Sequence, residues 1–272
     1  MNPSFLDHRG CRLAWKVTGD GPAILFIQGT GVHGDGWSPQ VEAFRDRFSC
    51  LTFDNRGMGE SQPADPKLSV AQMADDALAI LDACGVESAH VVGHSLGGLV
   101  ALQLALSARS RVRSLALLCT FSRGADATGL TWPKFWLGLR SFVGTRRMRR
   151  RAFLRIVMAA GDLEAIDPED EAARLEPLFG HDLAVHPPVE MKQLAAMKRC
   201  DLTPRLGELA GLPTLVVGGE LDLIARPAVV KALAGAIPGA RLRELPGAAH
   251  GLPIHRAVEV NLALAAHFSR SD

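Results

Sequence analysis

Solid apolar runs that alternate with helix-period stretches constrain this chain more than any other feature. Ala23 to Ile27 is uninterrupted apolar sequence between Gly21-Pro22 and Gly29, as a strand buried on both faces requires. Further strand-like stretches, less uniformly apolar, stand at Ser49 to Phe53, Ala89 to Val92, Val112 to Cys119 and Thr214 to Val217. Between the first two, Trp37, Val41, Phe44 and Phe48 recur at helical spacing. Ser69 is placed to cap a helix with Val70, Ala74, Ala77, Leu81 and Cys84 on one face, and Gly85 to end it. Another helix is expected from about Leu96, and Pro227 is placed to start a later one. Strands separated by helices need long crossovers, so the reading is a mainly parallel sheet with helices on both sides. Leu13, Trp15 and Val17 alternate as an early antiparallel strand would. A strand at Arg241 to Leu245 and a helix marked by Ile254, Val258, Leu262 and Ala265 close the chain.

The rhythm breaks once. From about Phe121 to Cys200 no strand-like run occurs, and the stretch carries Trp132, Phe135, Trp136, Leu139, Phe142 and Phe153. The expected division is a core of 1–121 and 201–272 interrupted by a helical cap of 122–200. The aromatics either fill the cap or line a pocket beneath it. The basic run Arg146 to Arg151 reads as a solvated helix face that pairs with the acidic stretch from Asp162 to Glu171. Nucleic-acid binding through that run is the competing reading, and it requires salt-sensitive association.

Global balance points the same way. With 47% hydrophobic residues, 22% charged residues and a net charge of +1, a chain of 272 residues can bury a full core and has no evident pull toward nucleic acid or anionic membranes. The five cysteines are scattered, with no CxxC pair, which argues against a disulfide framework or a zinc ribbon and for a reducing compartment. The segment Met1 to His8 has no apolar core of a secretory signal, and no apolar run approaches the ~20 residues that cross a bilayer. A cytoplasmic protein, monomeric or homodimeric, with no membrane or nucleic-acid partner is expected.

The chemistry centres on Gly93-His94-Ser95-Leu96-Gly97, a GxSxG pentapeptide between the apolar run Ala89 to Val92 and a helix-forming stretch. A sharp strand-to-helix turn there exposes a serine hydroxyl at the carboxyl edge of a parallel sheet and aims a helix amino end at it. A serine needs a base to become a nucleophile, and the base needs an acid to hold its tautomer. After Thr214 to Val217 comes Gly218-Gly219-Glu220-Leu221-Asp222, and after Arg241 to Leu245 comes Pro246-Gly247-Ala248-Ala249-His250. Ser95, Asp222 and His250 are therefore the expected catalytic residues. Glu220 is the rival acid and His255 the rival base; His94 is expected to point away from the serine. Backbone N–H groups of Leu96 and of Thr30, in Gln28-Gly29-Thr30-Gly31, are the expected oxyanion donors. His181 and His186 flank Asp182, but that spacing supplies too few ligands for a metal, and no metal or cofactor is expected.

On these residues the chain resembles the α/β-hydrolase superfamily, specifically its capped branch of esterases, lactonases and C–C hydrolases. Asp54-Asn55-Arg56-Gly57-Met58-Gly59-Glu60-Ser61 is similar to the family's DxRGxGxS turn, which the resemblance casts as a buttress of the active-site loops. Gln28-Gly29 stands where the family often has His-Gly. The resemblance implies an α/β-hydrolase fold, a helical cap and hydrolysis of a small to medium hydrophobic ester or lactone. A C–C bond hydrolase, a thioesterase, a cofactor-free haloperoxidase or a slow-turnover receptor would use the same residues. Ser95 stands where haloalkane dehalogenases and epoxide hydrolases carry aspartate and dienelactone hydrolases cysteine, and the chain has no tyrosine for an epoxide-binding cap.

Overall fold

A computed structural model of the protein describes residues 2–63, 67–128 and 132–270. Its strands are β1 Ser4–His8, β2 Cys11–Thr18, β3 Ala23–Ile27, β4 Ser49–Phe53, β5 Ala89–His94, β6 Val112–Leu118, β7 Thr214–Gly219 and β8 Arg241–Leu245. They form one eight-stranded sheet in the order β1-β2-β4-β3-β5-β6-β7-β8. The β1–β2 and β2–β4 pairs are antiparallel, and every other pair is parallel. All five residues of β3 and all six of β7 are buried. Side chains alternate between faces along a strand, so both faces of the sheet are covered.

The helices are α1 Ser38–Phe44, α2 Val70–Ala83, α3 Leu96–Ser107, α4 Gly124–Thr128, α5 Trp132–Phe142, α6 Arg146–Val157, α7 Ala160–Glu164, α8 Pro168–Phe179, α9 Glu190–Lys198, α10 Pro227–Ala236, α11 Leu252–His255 and α12 Ala257–Phe268. Ser69 caps α2 as expected, its hydroxyl accepting the Gln72 N–H at 3.0 Å. Between β6 and β7 no strand forms among the described residues. The side chains of Trp132 and Phe135, two of the aromatics named above, lie outside the described residues.

One strand has no counterpart in the sequence reading, and two local readings need correction. The edge strand β1 is largely exposed, so it has no alternating pattern to betray it. The helix expected over Trp37 to Phe48 is shorter, because Trp37 ends a 3₁₀ turn and Phe48 lies beyond α1. The closing helix breaks at Arg256 (φ −127°), which shifts its phase: Val258 and Leu262 are 70% and 61% exposed, while Val260, Leu264 and Phe268 are buried.

The buried side chains fall into two groups. The larger surrounds the sheet, where Phe26 packs on Trp37 with ring centroids 5.1 Å apart. The smaller lies among α6, α7 and α8, with Leu154, Val157, Leu163, Leu175 and Phe179 around Val32 from the loop after β3. The basic run pairs with acidic residues downstream. Arg146 and Arg150 both bind Asp182, and Arg150 also reaches Glu169 at 2.9 Å and Glu176 at 3.5 Å. Among the described residues all five cysteines are free, and no helix is long and apolar enough to cross a membrane.

Candidate active site

Ser95 follows β5 directly and has φ 54° and ψ −120°, a conformation that costs about 1–3 kcal/mol and persists only where neighbours enforce it. Its N–H donates to the Leu118 carbonyl at 3.0 Å, and its carbonyl accepts the Thr120 hydroxyl at 2.6 Å. Any Cβ at Gly93 would overlap the Gly97 carbonyl, and one at Gly97 would overlap the Ile27 carbonyl. Only glycine lets the turn close this tightly.

The sites read at 95, 222 and 250 converge. His250 Nε2 lies 3.0 Å from Ser95 Oγ, and His250 Nδ1 lies 2.9 Å and 3.1 Å from the two Asp222 carboxylate oxygens. All three residues are buried. Asp222 Oδ1 also accepts the Ile224 and Ala225 N–H groups at 2.7 Å and 2.9 Å. Burial drives this carboxyl upward, yet the His250 ring and hydrogen bonds from His250, Cys119 and Ile224 bring it below its ordinary value. An anionic acceptor thus faces Nδ1–H, which leaves Nε2 as acceptor for the serine proton.

The rivals are engaged elsewhere. Glu220 is exposed and accepts the Gly247 N–H at 2.9 Å. His255 faces Glu171 at 3.6 Å, and burial lowers its pKa to about 4. His94 has a structural partner in the histidine loop. Its ring lies 5.0 Å from that of His250, and its Nε2 donates to the His250 carbonyl at 2.9 Å. Burial first and His250 second lower its pKa to about 3, so it acts as a neutral donor that pins the histidine loop.

Leu96 opens α3, so its N–H has no intrahelical acceptor. Thr30 sits on the loop after β3, and its N–H makes no hydrogen bond among the described residues. The DxRGxGxS-like turn supports that loop. Asn55 Nδ2 donates to the Gln28 carbonyl at 2.9 Å, and Asp54 accepts the Gly34 N–H at 2.9 Å. Arg56, 1% exposed, grips Asp76 through Nε at 2.9 Å and Nη2 at 2.6 Å. Gln28 Oε1 accepts the Gly29 N–H at 2.8 Å, which is how glutamine serves at a position where the resemblance suggested histidine.

Several groups at this site carry no sequence signal. Gly31 is held by two residues far along the chain: Gln193 Oε1 accepts its N–H at 2.9 Å, and His181 Nε2 donates to its carbonyl at 2.7 Å. Gly251 N–H donates to the Val157 carbonyl at 2.8 Å, tying the His250 loop to the end of α6. Cys119 is buried beside Asp222, and burial followed by the Asp222 charge holds its thiol well above the ordinary range. Donor atoms of Cys119, Asp222 and His250 lie within 4.8 Å of one another, a spacing a metal could use. A thiol that stays protonated is a hydrogen-bond donor to the carboxylate and a poor metal ligand. His181, Asp182 and His186 face Gly31, two arginines and Glu190 respectively, so they do not form a shared site.

Ser95 and His250 open on a cavity of about 270 Å³. Its wall is mostly apolar, with Val32, Phe142, Phe153, Ile156 and Phe179 prominent, and its polar exceptions include Glu190 and His186. Of the aromatics read in the cap, Phe142 and Phe153 reach the cavity, whereas Trp136 is 53% exposed.

A sequence model of the alpha/beta hydrolase fold matches residues 22–257. Proteins named as the carbamate hydrolase RutD are similar along most of their length. That of Azorhizobium caulinodans is 31% identical over 88% of each chain, and that of Variovorax paradoxus is 32% identical over 93% of this chain and 94% of its own. The crystal structure of the enol-lactonase from Burkholderia xenovorans LB400 superposes with a TM-score of 0.82 at 26% identity, covering 98% of this chain and 100% of that one.

Proposed function

We propose that this chain, which belongs to the alpha/beta hydrolase fold family, is a serine hydrolase that cleaves a small carboxylic ester or lactone through an acyl-enzyme on Ser95. The observation that carries this reading is the unbroken hydrogen-bonded series from Asp222 through His250 to Ser95, at 2.9 Å and 3.0 Å and shielded from solvent. His250 Nε2 takes the hydroxyl proton as Oγ attacks the carbonyl, and Asp222 stabilises the imidazolium that forms. Negative charge on the former carbonyl oxygen meets the N–H groups of Thr30 and Leu96, which make no hydrogen bond among the described residues. His250 then protonates the leaving alkoxide, and a water activated by the same imidazole releases the acid.

The helices from 122–200 act in this account as a cap over the apolar cavity. Val157 and Gln193 support that role, since each binds a loop that bears a proposed catalytic group. A cavity of about 270 Å³ suits a small acyl group, near the low end of ligand sites at roughly 300 Å³.

A second reading has specific support: relatives of nearly full coverage are named carbamate hydrolases. A carbamate carbonyl would enter by the same attack and leave a carbamoyl-enzyme on Ser95. A panel of 4-nitrophenyl esters, lactones and alkyl carbamates tests both. Turnover of esters or lactones that Ser95→Ala abolishes supports the ester reading. Rapid carbamate turnover with ester hydrolysis far slower overturns it in favour of the second.

A further inference from the structure

The cavity wall beside the Thr30 loop holds a charge. Glu190, the first residue of α9, lines the cavity beside His186. A Cβ built on Gly31 would lie 3.7 Å from Glu190 Oε2, so the carboxylate stands next to the residue that follows Thr30. Glu190 Oε2 takes a hydrogen bond from His186 Nδ1 at 2.8 Å, and His186 Nε2 donates to the Ser141 carbonyl at 3.0 Å. Two acceptors flank the ring, and the hydrogen bond to Glu190 leads the causes that raise its pKa against the effect of burial. Phe142 stacks flat on the ring with centroids 3.7 Å apart and planes 8° from parallel, which fixes its orientation.

Glu190 Oε1 differs from its partner oxygen. It has no hydrogen bond or ion pair among the described residues, and the side chain keeps 18% of its exposure. An all-carbon ligand that fills the cavity strips water from this oxygen and returns no donor, which is the costly way to bury a charged acceptor. A ligand with an N–H or O–H at that point replaces the water with a charge-assisted hydrogen bond. A cationic ligand gains less, because His186 already offsets the carboxylate and the remaining wall is mostly apolar, with no second acidic side chain among the lining residues.

We propose that Glu190 is a specificity-determining residue whose free carboxylate oxygen selects substrates carrying a neutral hydrogen-bond donor, an amide N–H or a hydroxyl, beside the scissile acyl group. Which bond is cut rests on the acyl-transfer reading; what binds does not.

The test is calorimetry on the Ser95→Ala protein, which holds ligand without turnover. The probes are methyl esters of N-acetylated straight-chain amino acids in a short series of chain lengths, each paired with the ketone isostere in which CH₂ replaces N–H. At the best-fitting length the amide binds on the order of tenfold to a hundredfold more tightly than its isostere. Adding Glu190→Leu removes the preference, and adding Glu190→Gln, which keeps the shape without the charge, reduces it severalfold. Equal affinities at every length overturn the assignment. So does a preference that survives Glu190→Leu or, if that variant does not fold, one that Glu190→Gln leaves unchanged. In the unmodified protein the same ranking is expected in kcat/KM, carried mainly by KM. If that protein hydrolyses none of the esters while the ranking persists in calorimetry, the donor site stands and the acyl-transfer reading falls.

Discussion

At Ser95 the backbone itself is fixed: glycines at 93 and 97 pack against carbonyls, and Leu118 and Thr120 hold the residue's own N–H and C=O. At Glu190, which lines the same cavity, position depends on side chains, namely a His186 contact and a Phe142 stacked on that ring. One wall is set by covalent geometry and sheet register, with little room to adjust. The other is set by ion pairs and an apolar cluster that can be rebuilt without disturbing a strand. With the proposed chemistry on the first wall and the proposed selectivity on the second, substrate preference could change while the reacting groups stay put.

The largest expected effect breaks the first wall. Ser95→Ala should lower kcat for an activated ester by up to ~10⁶ with folding retained, and a loss below tenfold would contradict the assignment. Asp222→Asn should cost about 10⁴ in kcat, since the amide can hold the wrong tautomer of His250. Arg56→Leu acts on support alone. It leaves Asp76 buried without its bidentate partner and should lower unfolding stability by about 3–5 kcal/mol in denaturant titration. Gln193→Ala joins the two walls. It removes the acceptor of the Gly31 N–H, so kcat should fall on the order of tenfold with KM nearly constant, because the oxyanion develops only in the transition state. A raised KM with unchanged kcat would instead mark Gln193 as part of the substrate pocket.

The smallest effect concerns pH. His186 has a raised pKa in the folded state, so its stabilisation is full below the unfolded value of about 6.5 and is lost as pH rises through the folded value. Melting temperature should therefore drop slightly more between about pH 6 and about pH 9 in the parent than in His186→Ala.

What the sequence displayed follows the same divide. The strand runs and the GxSxG turn were legible because a doubly buried strand and a steric turn each demand particular residue types in a row. Asp222 and His250 were legible because parallel strands deliver their loops to one edge. The partner of His94 was not legible, since nothing in the pentapeptide shows that its ring meets the His250 carbonyl. Gln193 and His181 were silent because their partner, Gly31, lies far away in sequence and neither belongs to a motif. His186 and Glu190 stand at helical spacing, but Pro187-Pro188 between them hides the pair from a periodicity reading. The phase of α12 was missed for a similar local reason, the break at Arg256.

The most direct measurement is site-resolved labelling by a fluorophosphonate followed by peptide mass analysis. One phosphonyl group on the peptide that carries Ser95, with labelling slowed by orders of magnitude in His250→Ala, is the expected result. Labelling of a different residue, or an equal rate in His250→Ala, would contradict the joint action of 95 and 250.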